Sequence, residues 1–177
     1  ALASKESLEN LLGSFTIFFD KPFTVGDIVT LGGVTGIVEK VGFRSTRIRT
    51  FDKSIVTVPN KNIISTEHDN LGARPVRRVK FNIGLTYDTS VENIKNIVAD
   101  IQKLIDNHSM TNQDGRVRFL NFGASSLDIM VLYYVDSPDW EILIDTQQKI
   151  NYEIIEIINR YNCEFAFPST SVYIEKN

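Results

Sequence analysis

GGVTGIVEKVGFRSTRIRTFDKSIVTVPN, residues 32–60, is the stretch whose reading decides the fold. Two adjacent glycines, Gly32 and Gly33, open it where a turn needs residues free of a Cβ. Val34, Ile37, Val38, Val41 and Phe43 then load a β-biased run closed by Gly42. Ile48, and then Ile55, Val56 and Val58 across the polar turn Phe51-Asp52-Lys53-Ser54, continue it as two further short strands before Pro59-Asn60 punctuates the pattern. Short antiparallel strands at this spacing predict a small closed barrel. The stretch holds no His, no Cys, no paired carboxylates and no glycine loop opening a helix, so it reads as scaffold.

Upstream, Leu8, Leu11, Leu12, Phe15, Phe18 and Phe19 fall at helical spacing and predict an amphipathic helix over 4–19, with Glu6, Asn10, Gly13 and Ile17 on its opposite side. Pro22 biases Lys21 out of the α region and ends that helix, and a first barrel strand is expected over 28–31. Downstream, 61–65 reads as a last short strand and 67–75 as a connector rich in Asp, Asn, Gly and Arg, placing a domain boundary near Asn70.

The second half reads as strand, helix, strand, strand, helix, strand. Val79, Phe81, Ile83 and Leu85 alternate as in a half-buried strand. Ser90 caps a helix from 91 to about 107, with Ile94, Ile97, Val98, Ile101, Leu104 and Ile105 on one face. Strands follow over 117–122 and 127–135. A second helix starts near Asp139, turns Ile142, Leu143, Thr146, Ile150, Ile154, Ile157 and Ile158 inward and ends near Tyr161, and a last strand covers 164–167. That order is the ferredoxin-like split βαβ, a fold that proves no function by itself.

Composition is ordinary for a globular chain of 177 residues, at 42% hydrophobic and 23% charged. The longest apolar stretch, 11–19, is broken by Gly13, Ser14 and Thr16 and falls short of the ~20 residues a spanning helix needs. The single cysteine, Cys163, excludes an intramolecular disulfide and reads as a small buried residue. His68 and His108, 40 apart in sequence and each at a helix or loop end, read as surface histidines rather than catalytic or metal-binding ones. No cleavable leader is visible, and a chain opening on Ala1 leads us to expect further sequence upstream. Charge is uneven: residues 1–80 hold 12 Lys/Arg against 8 Asp/Glu, and residues 81–177 hold 7 against 14. A basic half beside an acidic half suits a body lying near an anionic membrane surface.

Three segments in order, Gly33-Val34-x-Gly36-x-Val38, Thr46-x-x-Arg49-Thr50-x-Asp52 and Val58-Pro59-Asn60, resemble the β-domain of the small-conductance mechanosensitive channel family. Ser7-Leu8-x-Asn10-Leu11 with Gly13, the motif Pro22-Phe23-x-x-Gly26-Asp27, and then Pro75-Val76-Arg77-Arg78, Gly84-x-x-Tyr87-Asp88, Gly123-Ala124-Ser125-Ser126 and Phe165-x-Phe167-Pro168 extend the resemblance over nearly the whole chain. It implies an α+β fold: an N-terminal amphipathic helix, a small Sm-like five-stranded β-barrel, a ferredoxin-like βαββαβ domain and a short C-terminal strand. The corresponding divisions are 1–21, the end of a pore helix and a membrane-surface helix; 22–70, the barrel; 71–168, the α/β domain; and 169–177, an oligomerisation strand. Glu6 stands where the family usually has a glycine, and a good helix former there does not break the helix axis unaided.

In function, the resemblance implies the cytoplasmic vestibule and gate-adjacent helix of a homo-oligomeric, usually heptameric, tension-gated channel of the inner (plasma) membrane. Such a channel passes ions and small solutes in hypoosmotic shock. It needs no cofactor or metal and is no enzyme. Lipid contact is expected through the first helix and further upstream helices. The resemblance makes Leu2 pore-lining and Val172 and Ile174 an oligomerisation strand. The position of Asn10 and Gly13 opposite the apolar stripe predicts that they form the coupling surface of the helix, and the cationic cluster Arg74, Arg77 and Arg78 at the connector and the start of the second domain is expected to be portal-lining. Two alternatives remain. An Sm-like barrel bearing Arg44, Arg47, Arg49 and Lys53 beside Phe43 and Phe51 suits single-stranded nucleic acid, although the acidic second half repels phosphate. A metabolite-sensing domain rests only on the ferredoxin-like order.

Overall fold

A computed structural model describes residues 2–170, with side chains from Lys5 onward. The chain divides into two compact units, Ala1–Arg74 and Pro75–Asn177. The first opens with helix α1, Leu2–Asp20, which ends as Lys21 turns into the left-handed region and its N–H bonds back to Ile17. Strands β1 (Ile28–Leu31), β2 (Val34–Val41), β3 (Ser45–Thr50) and β4 (Ile55–Pro59) follow as a meander. A two-residue turn joins β1 to β2: Leu31 faces Val34, and Gly32 and Gly33 both adopt positive φ, the mirror-image turn that matches the twist of a hairpin.

Helix α2 (Asn60–Ser65) and strand β5 (His68–Asn70) complete the unit before a single 3-10 turn, Leu71–Ala73. The strand expected over 61–65 is therefore a helix, and the fifth strand lies in the expected connector. Pro59, with its fixed φ of −59°, sits at the N-cap and starts the helix there. The sheet order is β4-β3-β2-β1-β5, and no ladder joins β4 to β5 among the described residues. A bulge between Val38 and Lys40 bends β2. Val29, Leu31, Val38, Ile48 and Val58 share one core with Phe23, Ile17 of α1 and Ile63 of α2, so the two helices complete what the strands leave open. Asn70 binds the unit's entry to its exit, donating to the Pro22 carbonyl at 3.1 Å and to Asp27 at 3.0 Å.

In the second unit β6 (Arg77–Leu85), β8 (Leu127–Val135) and β7 (Arg116–Phe122) form an antiparallel sheet in the order β6-β8-β7. Helices α3 (Val91–Asn107) and α4 (Trp140–Arg160) start on Ser90 and Asp139, whose side chains accept from the N–H groups of Asn93 and Ile142. Ile94, Ile97, Ile101 and Ile105 of α3 and Leu143, Ile150, Ile154 and Ile158 of α4 pack with Ile129, Val131 and Tyr133 of β8. Ile142, expected inward, is exposed, one position outside the buried stripe. The last strand contracts to one bridge, Leu85 to Phe165, flanked by Glu164 and Ala166 bonded to Thr86 and Gly84. That bridge sets residues 164–166 on the free edge of β6 and yields the ferredoxin-like arrangement. The short C-terminal strand expected after residue 169 falls largely beyond residue 170, outside the described residues.

Candidate functional site

The working surface of the first unit is the face that α1 presents to α2. Asn10, Gly13, Ser14 and Ile17, spaced along one side of α1, are buried; Asn10 is only 4% exposed. The large apolar residues point away, with Phe18 and Phe19 at 66% and 74% exposure and Leu8, Leu12 and Phe15 also exposed. The amphipathic helix thus docks through its small and polar side and leaves its apolar stripe uncovered by the described residues. Small residues are what close approach demands. A Cβ at Gly13 would lie 3.0 Å from the Asn60 carbonyl carbon and 3.1 Å from its Cβ and oxygen.

Asn60 does not yield readily, because it is fully buried and bonded on every side. Its backbone N–H donates to Arg44, its amide donates to the Gly42 carbonyl at 2.8 Å, and its amide oxygen accepts the Thr46 hydroxyl at 3.0 Å. Asn60 therefore meets Thr46 and Gly42, 14 and 18 residues before it, in one buried polar node beneath Gly13. Beside it, the Asn10 side-chain oxygen accepts the Lys61 N–H at 3.0 Å while its amide donates to the Glu6 carbonyl at 3.1 Å. Pro59 gives α2 no side-chain cap, so Asn10 supplies from another helix the acceptor that the half-buried first turn lacks. Glu6 and Lys61 form an ion pair at 2.8 Å.

Where the stripe of α1 meets β2, Phe15, Phe18, Phe23, Val41 and Phe43 line an apolar hollow of about 760 Å³. In the turn after α1, Asp27 accepts the Thr24 N–H at 2.8 Å and the Asn70 amide at 3.0 Å. Those two bonds hold its carboxyl below the usual carboxylate range.

Among the expected site residues, the fold brings Asn10 and Gly13 onto one contact with α2. Arg74 belongs to the first unit and donates to Leu71 at 3.0 Å, while Arg77 and Arg78 lie on β6 in the second, with Arg77 donating to Pro138 at 2.9 Å. Among the described residues none of the three is ion-paired. Leu2 falls in the first turn of α1 with its side chain outside the described residues, where Val172 and Ile174 also lie. Sequence reasoning missed Thr46 and Asn60 as a buried pair, and Lys61 as the shared partner of Glu6 and Asn10. The motif match carried the first two as letters without a contact, and nothing local marked the third.

No group of three or more His, Cys, Asp or Glu among the described residues is placed to hold a metal, and no helix there is long and apolar enough to cross a membrane. Arg49 of the nucleic-acid alternative is engaged by Glu39 at 2.6 Å, and that alternative finds no support.

An exposed apolar helix docked by its polar side onto a small coiled sheet, followed by a ferredoxin-like unit, defines a class. The family model described as the mechanosensitive ion channel β-domain matches residues 6–73, and that described as mechanosensitive ion channel MscS, C-terminal, matches residues 79–165. The chain belongs to the MscS family of mechanosensitive ion channels, a family of channels rather than enzymes. It is 43% identical over 178 residues to an uncharacterised MscS family protein of Aquifex aeolicus, covering 99% of this chain and 48% of that protein. It is 40% identical over 177 residues to the small-conductance mechanosensitive channel MscMJ of Methanocaldococcus jannaschii, covering 100% and 51%. The chain thus spans about half the length of these curated relatives. The crystal structure of Helicobacter pylori MscS in its closed state has the same fold, with a TM-score of 0.82 at 22% identity over 100% of this chain and 69% of that one.

Proposed function

We propose that this chain is the vestibule and gate-adjacent helix of a tension-gated, homo-oligomeric channel that passes ions and small solutes and protects against osmotic shock. The observation that carries the reading is the orientation of α1. Its exposed stripe of Leu and Phe lies along the inner surface of a membrane and against lipid, while Asn10 and Gly13 transmit its position to the β-domain through α2. Tension favours the conformation of larger in-plane area, and this contact holds the lower end of the pore helix as it moves.

The remaining assignments follow from the family. Leu2 lines the pore, the body faces the cytoplasm, Arg74, Arg77 and Arg78 border openings of a cage, and Val172 and Ile174 join copies, seven in the family's usual ring. The chain catalyses nothing and takes no cofactor. Reconstitution of the full-length protein in liposomes, with suction applied to excised patches, tests the reading: we expect pressure-activated currents, and their absence at tensions approaching membrane rupture overturns it.

A further inference from the structure

The grip of α1 on the β-domain changes character along its length. At its C-terminal end Ile17 is buried in the core, and at its middle Gly13 and Asn10 pack on Asn60 and Lys61. Toward its N-terminal end, among the described residues, the contact to α2 is charged and open to water: Glu6 to Lys61, with side chains 60% and 32% exposed. Lys61 is held twice by successive turns of α1, its backbone N–H by Asn10 and its ammonium by Glu6. Releasing one turn loosens the other.

We propose that Glu6 is a positioning residue: with Lys61 it forms an electrostatic clasp that sets how tightly α1 is held to the β-domain, and this grip tightens as ionic strength falls. The hydrogen bond and charge of Lys61 hold the Glu6 carboxyl below its ordinary range, and Glu6 raises the Lys61 ammonium, so both stay charged around neutral pH. The other charges that face the pair leave it balanced. Arg44 also attracts Glu6, Glu9 also attracts Lys61, and Glu9 is itself 3.8 Å from Lys5. Salt is therefore the variable that the clasp reads. An exposed ion pair weakens as the screening length shrinks from about 30 Å at 0.01 M to about 3 Å at 1 M. Dilution of the surrounding solution strengthens it, and that is the change a cell undergoes in hypoosmotic shock. This physiological meaning rests on the channel reading; the clasp itself rests on geometry.

The test uses the full-length protein in lipid nanodiscs. Hydrogen exchange is followed by mass spectrometry on the peptide carrying the Lys61 amide, at 50 mM and 500 mM NaCl. We expect exchange in the wild type to be about two- to fivefold slower at low salt, the range an exposed pair supports. Glu6→Gln should exchange fast at both salts. Glu6→Lys and Lys61→Glu should each exchange fast, and the doubly reversed protein should recover slow, salt-dependent exchange. Closing rates in patches should lose their salt dependence in Glu6→Gln. Exchange that is indifferent to salt in the wild type, or no recovery in the reversed pair, overturns the clasp. If the wild type carries no tension-gated current the channel reading falls, and the exchange data still decide the clasp.

Discussion

Replacing Asn10 with Ala removes the oxygen that caps α2 from outside. In the wild type the Lys61 N–H reaches Asn10 at 3.0 Å, and Pro59 offers no side chain to replace it. Losing an N-cap acceptor costs about 1 to 2 kcal/mol when the donor is shielded from water. Ala is the better helix former within α1 by about 0.5 kcal/mol. The net loss is about 1 kcal/mol, which moves the ratio of docked to released α1 about fivefold. In excised patches of the full-length channel under sustained suction, closing and inactivation should change by that factor. Asn10→Asp is the comparison: it keeps the acceptor for the Lys61 N–H but sets a second carboxylate oxygen against the Glu6 carbonyl in place of the donor, so it should change the kinetics less than Asn10→Ala. Kinetics unchanged in Asn10→Ala, or equally changed in both variants, refute the capping argument.

Further outcomes can be checked independently. The hydroxyl of Tyr133 is fully buried without a hydrogen-bond partner among the described residues, and burial pushes its pKa far up. Tyr133→Phe should therefore leave the unfolding free energy unchanged or raise it by about 1 kcal/mol at most, and a clear fall in denaturant titration would show that the hydroxyl has a partner. Asp27 has its carboxyl pKa lowered by the Thr24 N–H and Asn70. Its stabilisation is present above the ordinary carboxylate pKa and is lost as pH falls through the lower folded value, so melting below about pH 4 should be less pH-dependent in Asp27→Asn than in the wild type. Arg77→Glu with Arg78→Glu should shift reversal potentials toward cations in asymmetric salt if these residues border a conducting opening; unchanged potentials argue against it. Truncation after Phe167 should lower the assembled mass seen by light scattering, and a full-sized assembly would remove the C-terminal segment from the interface.

Much of the fold is legible because local chemistry and tertiary structure agree. Gly32-Gly33 sits at a turn that requires positive φ, Ser90 and Asp139 cap the helices they precede, and Val79, Phe81, Ile83 and Leu85 of β6 alternate with more exposed neighbours. The failures fall where an element is too short to carry a period. Residues 60–65 make fewer than two helical turns, and Ile63-Ile64 bias a reader toward strand. His68–Asn70 has no apolar alternation, and its strand character comes from the β1 edge it pairs with. Helical spacing identified the stripe of α1 and correctly set Asn10 and Gly13 opposite it. Which side packs inward depended on Asn60 and Lys61, some fifty residues away, and no local pattern encodes that complementarity.

The close seat of Gly13 on the fixed Asn60 has a mechanical consequence. A helix whose closest contact is with a fixed support can act as a lever about it, and Gly13 divides α1 unequally, eleven residues from Leu2 and seven from Asp20. At a rise of 1.5 Å per residue the arms are about 16 Å and 10 Å, so a tilt of roughly 10° sweeps the far end through about 3 Å and the near end through about 2 Å. The short arm is the one anchored by Ile17 in the core, and it therefore resists while the long arm travels. Glu6 pulls on that long arm about 10 Å from the fulcrum, where a weak force exerts its greatest torque among the contacts α1 makes with α2.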